Sequence, residues 1–464
     1  MSESLFSAFA PQTYSDWLKQ MTKDLKGKPF ESLESFTADG IKIHPLYSSD
    51  FPAQEISSQA NAASAGWIVT EEILVDDASK ANKEALDKLN RGANGLLFYV
   101  YDDVDVSRLL KGVMMEHISI HFVVEGNAQI VLKNWLAFAD SMHVNPNKLR
   151  GSINIDPIES AARTGNWRSD AESDLLDLEA ILEDAPQGIK TICINANLYA
   201  NAGATAAQQL GIALAHTFEY LNRLGSKNAN SVWLNMAIGG QYFEEIAKFR
   251  AMRRLWRFLL DDLEAPEAQL HLYAESGFRN KTIYDPWVNM LRSTTECMSA
   301  AVGGADEILL RPYNATYTEP QEFGNRVARN QQLVLAYESY FNRVSDPAAG
   351  SYFVENLTEE LAKKAWEIFQ KIEAKGGMIA ALESGFIQKM IEKSAHSEQA
   401  RFNEGRLNLL GSNIYPNENE MMKQEVEEPL FSGIPQDTQI IPIVAKRLSE
   451  SLEKDRLEEE NWER

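Results

Sequence analysis

The sequence of 464 residues has few cysteines, no long apolar run and no dense cluster of basic residues. Cys193 and Cys297 lie in largely apolar stretches, and no CxxC or Cys/His cluster accompanies them, which argues against a disulfide framework or a metal site. No stretch of about 18 apolar residues predicts a membrane span. The first residues also lack the charged and apolar regions of a signal peptide, so we expect a cytoplasmic protein.

Positive charge is scarce. Lys and Arg number 45 against 67 Asp and Glu, which gives a formal net charge of −22. Nucleic acids and anionic membranes both require a basic face, so these partners are disfavoured. With 44% hydrophobic residues, the chain is long enough for a large core, in about three domains or in one barrel with extensions.

From residue 95 onward, apolar or β-branched runs alternate with helical patterns. The predicted strands are 95–102, 118–125, 151–156, 190–198, 231–238, 269–275 and 305–313, with an eighth around 343–352. Helical patterns lie between them, for example 128–142, 203–224, 241–263, 283–301 and 320–341. A doubly wound sheet is the alternative, but eight such units favour closure and no GxGxxG follows the first strand. We therefore predict an α/β fold, a (β/α)₈ TIM barrel.

Extensions flank the predicted barrel. Residues 1–65 form an N-terminal arm with a short amphipathic helix at 15–26 and little core of its own, so it must lie on the barrel or on a partner. Residues 66–400 are assigned to the barrel, and 401–464 to a C-terminal extension or linker. The charged end of this extension predicts a helix exposed to solvent.

The catalytic residues of a (β/α)₈ enzyme lie at the C-terminal ends of its strands, and here few candidate side chains occur at those positions. The strand ends offer Asn154 to Asp156, Asn197 with Leu198, and Glu275, and no cluster combines a base, an acid and a cation. His117 and His121 are four residues apart in one predicted strand, which would place both on one face, and we interpret them as structural. No P-loop, HExxH or GxSxG motif is present.

Several segments resemble the methylmalonyl-CoA mutase family, and its small (β) subunit most closely. They are NAGATAAQQLG (201–211), IAKFRAMRRLW (246–256), NRVARNQQLVLAYES (325–339) and DPAAGSYFVENLTEELAKKAW (346–366), with WLKQMTKDLKG and DGIKIHPLY in the arm. The resemblance covers nearly the whole chain. It implies a barrel that binds a CoA thioester through its centre and interconverts methylmalonyl-CoA and succinyl-CoA in propionate metabolism.

The same resemblance implies that adenosylcobalamin belongs to a partner. In the family a separate C-terminal domain holds this cofactor with a DxHxxG loop, and this sequence has no DxHxxG. The expected partner is the catalytic large subunit, in a heterodimer. No catalytic, cofactor-binding or metal-binding residue is then expected on this chain.

The positions that match the family's catalytic residues have changed. In WIVTEEILV, Glu72 stands at a substrate-contacting Tyr; in GSINIDPIESAARTG, Asn154 stands at a Gln and Thr164 at an Arg. In ANLYANAGAT, Asn197 stands at a Tyr and Leu198 at a His that bonds the thioester carbonyl. Leucine donates no hydrogen bond, and loss of such a donor typically costs about 2.7–4 kcal/mol of transition-state stabilisation. Threonine lacks the bidentate cation of Arg.

Two alternatives remain. A self-standing, cobalamin-independent barrel would act on a CoA thioester, with Glu72, Glu275 and Asp156 as candidate acid or base groups. A barrel that becomes catalytic when a separate cobalamin-binding chain docks would keep the family reaction, but the changes at Thr164, Asn197 and Leu198 argue against it.

Overall fold

The protein is built around one sheet of parallel strands. A computed structural model describes residues 12–51, 66–265, 268–319, 321–427, 433 and 435–460. In chain order, the strands of this sheet are Ile68–Leu74, Gly95–Tyr101, Ser119–Glu125, Arg150–Asn154, Ile189–Lys190, Ile192–Asn195, Val232–Ile238, His271–Ser276 and Glu307–Leu309. All seven residues of Val232–Ile238 are buried, as expected for a parallel strand covered on both faces.

The sheet curls until its two ends meet at Thr191. Ile189–Lys190 pairs with the strand Arg150–Asn154, whereas Ile192–Asn195 pairs with Val232–Ile238 on the other side. Only Thr191 separates these two segments, and its N–H donates to Ser231 O at 3.1 Å. The nine segments therefore occupy eight strand positions of a barrel that is closed apart from the break at Thr191, which confirms the predicted architecture.

Helices follow the strands and cover the outside of the barrel. Their bounds are Ala78–Asn90, Val106–Leu109, Ala128–Ser141, Pro157–Thr164, Ala171–Asp184, Asn197–Asn201, Ala206–Leu224, Tyr242–Asp262, Val288–Gly303 and Glu322–Tyr337. Local signals fix their starts; for example, Thr205 and Gln208 form a reciprocal capping box at the start of Ala206–Leu224. In the described part of the chain, no helix is long and apolar enough to cross a bilayer.

The strand predicted around 343–352 is wrong. That segment begins at the last residue of the 3₁₀ turn Phe341–Arg343 and leads into the helix Tyr352–Glu373. The missing strand position is filled by Ile68–Leu74, which pairs with Gly95–Tyr101 and Glu307–Leu309. The strand predicted at 190–198 is also too long, because a helical turn begins at Asn197. Asn197 and Leu198 therefore lie after a strand rather than on one.

From Tyr352 to Asn403 the chain is largely helical, the described residues between Asn403 and the final helix are irregular, and the last part packs on the barrel. The helices are Tyr352–Glu373, Gly377–Glu383, Phe386–Asn403 and Glu450–Glu459. The final charged helix, Glu450–Glu459, is mostly exposed, as its charge run predicts, but Glu453 is 1% exposed and Glu460, just after the helix, is 8% exposed. Glu453 accepts hydrogen bonds from Ile283 N at 2.9 Å and from the Ser449 hydroxyl at 2.8 Å, and it pairs with Arg447. Buried partners, and not solvent, balance this carboxylate.

The described part of the arm lies on the chain's own helices. It contains the helix Tyr14–Asp24, the 3₁₀ turn Phe30–Leu33 and a two-stranded hairpin of Ser35–Phe36 with Lys42–Ile43. Asp39 bonds the Thr205 hydroxyl and accepts from Ala207 N at 3.0 Å, at the start of Ala206–Leu224. Residues 1–11 and 52–65 of the predicted arm lie outside the described residues.

We predict that Glu453→Ala lowers the free energy of unfolding by about 3 kcal/mol, because it leaves the buried Arg447 guanidinium without its carboxylate. Urea unfolding followed by circular dichroism measures this loss. Glu458→Ala, at an exposed position of the same helix, is the matched control and should change stability by less than about 0.5 kcal/mol. Equal effects of the two substitutions would contradict the account of a docked helix.

Candidate functional site

Arg311 lies at the centre of the mouth of the barrel, just after the last strand. Its Nε donates to Glu275 Oε1 and its Nη1 to Glu72 Oε2, both at 2.6 Å. Its Nη2 donates to the Tyr99 hydroxyl at 3.3 Å. Burial alone would lower the pKa of Arg311, but the carboxylates of Glu275 and Glu72 hold it well above its usual range. One guanidinium therefore ties together the ends of three strands.

Two amide side chains complete the hydrogen bonding of Glu275. Asn197 Nδ2 and Asn235 Nδ2 each donate to Glu275 Oε2 at 2.9 Å, while Oε1 receives Arg311. Burial raises the pKa of Tyr99 to about 12, against the opposing charge of Arg311. Tyr99 is therefore neutral near pH 7, and both glutamates are engaged by donors of the protein itself.

The side chains at the other positions where this sequence departs from the family pattern make contacts outside the Arg311 group. Asn154 and Asn195 exchange amide hydrogen bonds of 3.2 and 3.0 Å. The Thr164 hydroxyl donates to Ser160 O at 2.7 Å within its own helix. Leu198 is 6% exposed and belongs to the main hydrophobic core. The structure thus brings Glu72 and Asn197 into one group, and it separates Asn154, Thr164 and Leu198 from that group.

Large side chains fill the barrel below the mouth. A cluster of five residues occupies the interior, and each is at most 3% exposed: Leu97, Cys193, Trp233, Tyr273 and Leu309. The rings of Trp233 and Tyr273 lie 4.7 Å apart between centroids. This part of the axis is therefore a packed core and not a channel.

A second polar layer lies deeper, around Glu307. His121 Nε2 bonds Glu307 Oε1 at 2.9 Å, and His271 Nε2 bonds Oε2 at 3.1 Å. Burial would raise the pKa of Glu307, but the two histidines hold it well below its usual range. The interpretation of His121 as structural agrees with its buried bonds to Ser119 and Ser152, each at 2.8 Å. His117 precedes the strand and is exposed, so the two histidines do not share a face.

Asp156, a candidate acid or base in the sequence, is a buried structural anchor. It accepts from Tyr220 Oη at 2.7 Å and from Asn195 N at 2.7 Å, and it bonds His216 Nε2 at 2.9 Å. Burial would raise the pKa of Asp156, but the charge and hydrogen bond of His216 hold it below the usual range. Its oxygens are thus already committed within the protein.

Open space remains on one side of the mouth. A cavity of about 860 Å³ lies over the ends of the first to fifth strand positions, and Tyr99, Asn154, Glu159, Arg163 and Thr164 contribute to its lining. Burial raises the pKa of Glu159 to about 7, and Arg163, whose Nε donates to Glu159 Oε1 at 2.9 Å, opposes this shift. Among the described residues, no group of three or more His, Cys, Asp or Glu side chains is arranged to hold a metal ion.

Sequence reasoning missed Arg311, Asn235 and the aromatic filling of the barrel. Arg311 falls at the end of the predicted strand 305–313, where a cation could have been noted. Its pairing with Glu72, 239 residues away in sequence, has no local signal. Trp233 and Tyr273 each lie in a predicted strand whose side chains alternate between the inside and the outside of the barrel. Only the size of these two side chains indicated that they would fill the interior.

These features define a (β/α)₈ barrel whose axis is occupied by its own side chains. A family model described as Methylmalonyl-CoA mutase matches residues 90–429, and the chain belongs to this family.

Named relatives agree with this assignment. The methylmalonyl-CoA mutase small subunit of Porphyromonas gingivalis is 34% identical over 451 residues, covering 91% of this chain and 73% of the relative. That of Streptomyces virginiae is 30% identical and covers 89% of this chain and 72% of the relative. The Rhizobium meliloti methylmalonyl-CoA mutase is 28% identical, over 88% of this chain and 65% of its own length.

A solved structure of Yersinia pestis DHPS with a pterine-sulfa conjugate covers 62% of this chain at 14% identity with a TM-score of 0.29, a likeness too weak to bear on fold or function.

We predict that Arg311→Met lowers the free energy of unfolding by about 3–5 kcal/mol, because Glu72 and Glu275 would stay buried without their cation. Urea unfolding at pH 7 measures the change. The control, Arg326→Met, alters an exposed arginine of the helix Glu322–Tyr337 and should cost less than about 0.5 kcal/mol. A loss of similar size in both variants would mean that the mouth does not depend on Arg311.

Glu159 gives a pH-dependent prediction. Because its pKa is raised from 4.5 to about 7 in the folded state, the protonated form is favoured and stability falls as pH rises between these values. Glu159→Gln carries no charge, so it should be about 1–3 kcal/mol more stable than the parent at pH 8 and equal to it near pH 4. Thermal unfolding at both pH values tests this, with the exposed Glu179→Gln as control. A difference that is the same at both pH values would contradict the raised pKa.

Proposed function

We propose that this chain is the non-catalytic small subunit of a heterodimeric, adenosylcobalamin-dependent methylmalonyl-CoA mutase. Its partner would be the large subunit, which would interconvert methylmalonyl-CoA and succinyl-CoA. The observation that carries this proposal is the filled barrel axis, with Trp233 and Tyr273 at its centre. A thioester that must pass through the barrel would collide with these rings, and opening a core of this kind costs several kcal/mol.

The mouth of the barrel supports the same proposal. A catalytic site needs donors directed at the position where charge develops. Here the strong donor, Arg311, is saturated by two carboxylates, and Leu198 lies in the hydrophobic core where the family has a donor. Because the Leu198 side chain is 6% exposed and packs in the hydrophobic core, we infer that a donor at this position would not restore a site.

The residues of this chain do not fit adenosylcobalamin. The family holds the cobalt through a His, and the two buried histidines of the described residues, His121 in the barrel and His216 on the helix Ala206–Leu224, have both ring nitrogens engaged by protein groups. At the mouth, the Arg311 guanidinium is already paired with the carboxylates of Glu72 and Glu275. We accordingly place the cofactor on the large subunit and assign it no residue on this chain.

Each segment then has a role in assembly. We propose that residues 1–65 contribute to the interface, that 66–400 form the supporting barrel, and that 401–464 are an extension that packs on it. We also place the protein in the cytoplasm, in propionate metabolism. The alternative of a self-standing enzyme is disfavoured because Glu72, Glu275 and Asp156, its candidate acids and bases, are all held in buried hydrogen bonds.

Native mass and composition of the chain purified from its source cells test the proposal. We expect a one-to-one complex with a larger, corrinoid-containing protein, and mutase turnover only in that complex. Arg163→Ala, in the open cavity, should leave turnover of the complex within about twofold, because no substrate passes through this barrel. A monomer or homodimer that does not bind the large subunit would contradict the proposal.

A further inference from the structure

A groove on the outside of the barrel lies between the helices Tyr242–Asp262 and Tyr352–Glu373. Its volume is about 650 Å³, and every described residue that lines it belongs to one of these two helices. We call it the Phe258–Trp366 groove. The lining runs from Arg254 to Asp262 along the first helix, which is about 12 Å, or a little over two helical turns.

The floor of the groove is apolar and partly open to solvent. Leu255 is fully buried beneath it, whereas Phe258 is 44% exposed. The Trp366 ring meets Phe258 edge-on, with 6.4 Å between centroids, and packs on Phe369 at 5.0 Å. An aromatic and aliphatic floor between two helices has the shape into which the apolar side chains of a third helix pack.

The rim of the groove is acidic. Four carboxylates contribute to the lining against two cations: Asp261, Asp262, Glu359 and Glu367 against Arg254 and Lys363. Lys363 is already bonded to Glu359 at 2.8 Å and to Glu360 at 3.1 Å. The Arg254 guanidinium lies over the Phe258 ring, 5.5 Å from its centroid. The exposed charge that remains at the rim is negative.

Two of these acids lie where a negative charge destabilises their own helix. Asp261 and Asp262 occupy the last turn of Tyr242–Asp262, where the helix dipole favours cations and where this helix has no basic residue. Each acid there typically costs about 0.3–1 kcal/mol at an exposed position. A cationic group of a partner placed beside these acids would be favoured both by their charge and by the negative end of the helix dipole.

We propose that the Phe258–Trp366 groove binds a cationic amphipathic helix of a protein partner. The arm supports a protein occupant, because it lies on the neighbouring side of the same helix: Tyr47 packs on Phe353 at 5.1 Å, and Asn356 Nδ2 donates to Phe51 O at 3.1 Å. A partner chain that contacts the arm would therefore lie beside the groove. The inference goes beyond the proposed function, since it does not require the partner to be the large subunit.

Fluorescence anisotropy with the full chain tests the proposal. The probe is a labelled helical peptide of about 16 residues, with leucines at positions i, i+3, i+4 and i+7 and lysines on the other face. We expect saturable binding that weakens at least tenfold on Phe258→Ala, and at least tenfold on the double change Asp261→Lys with Asp262→Lys. A peptide with glutamates in place of the lysines should not bind.

The matched control reverses the charge of two exposed acids on another helix, Glu179→Lys with Glu183→Lys, which changes the net charge equally. It should leave the affinity within about twofold, because distant surface charges are screened. The Asp261 and Asp262 variant should also melt at the same or a higher temperature than the parent, which separates lost binding from lost folding.

Equal binding to the acidic peptide, or equal loss in both charge variants, would overturn the proposal. So would the absence of any binding, or a homodimer of the chain that Phe258→Ala dissociates, because a second copy would then occupy the groove. The assay contains no large subunit, so its failure and the failure of the heterodimer proposal are distinguishable.

Discussion

The interior of the barrel depends on one constraint: charged groups buried on its axis must be paired within the chain. Arg311 balances Glu72 and Glu275 at the mouth, and two histidines balance Glu307 below. Between these layers lie the rings of Trp233 and Tyr273. Opening the axis to a ligand would separate ion pairs and remove core packing together, and both are costly. The closed axis is therefore a stable arrangement.

Segments outside the barrel are also held in place by acidic side chains whose oxygens accept hydrogen bonds from other parts of the chain. Asp39 of the arm meets the start of the helix Ala206–Leu224, where the free N–H groups favour a carboxylate. Glu453 of the last helix accepts from Ile283 N on the barrel. These contacts join parts of the chain that are far apart in sequence, so an acidic protein can pack its carboxylates inside as well as expose them.

The sequence predicted the barrel because its signals are local. The strand Gly95–Tyr101 was predicted within one residue, from a run of apolar and β-branched side chains. Ile68–Leu74 was missed because Thr70, Glu71 and Glu72 interrupt its apolar pattern, and their partners Glu307, Arg329 and Arg311 lie more than 200 residues away.

The site was predicted less well, for the same reason. The changed residues at Asn197 and Leu198 were identified from the sequence, but one joins an ion-pair cluster and the other enters the core. This division depends on the helical turn at Asn197–Asn201, which follows a strand that ends earlier than predicted. The burial of Glu453 in the otherwise exposed final helix was not predicted, because a charge pattern does not show that Arg447 and Ile283 N will meet Glu453.

The central claim is that the barrel axis is closed to a CoA thioester. Calorimetric titration of succinyl-CoA into the isolated chain tests it most directly. The account predicts no saturable binding up to about millimolar concentration, which corresponds to a binding free energy weaker than about −4 kcal/mol. Saturable one-site binding that is lost on Tyr99→Phe or Arg311→Met would place the ligand in the mouth of this barrel and contradict the account.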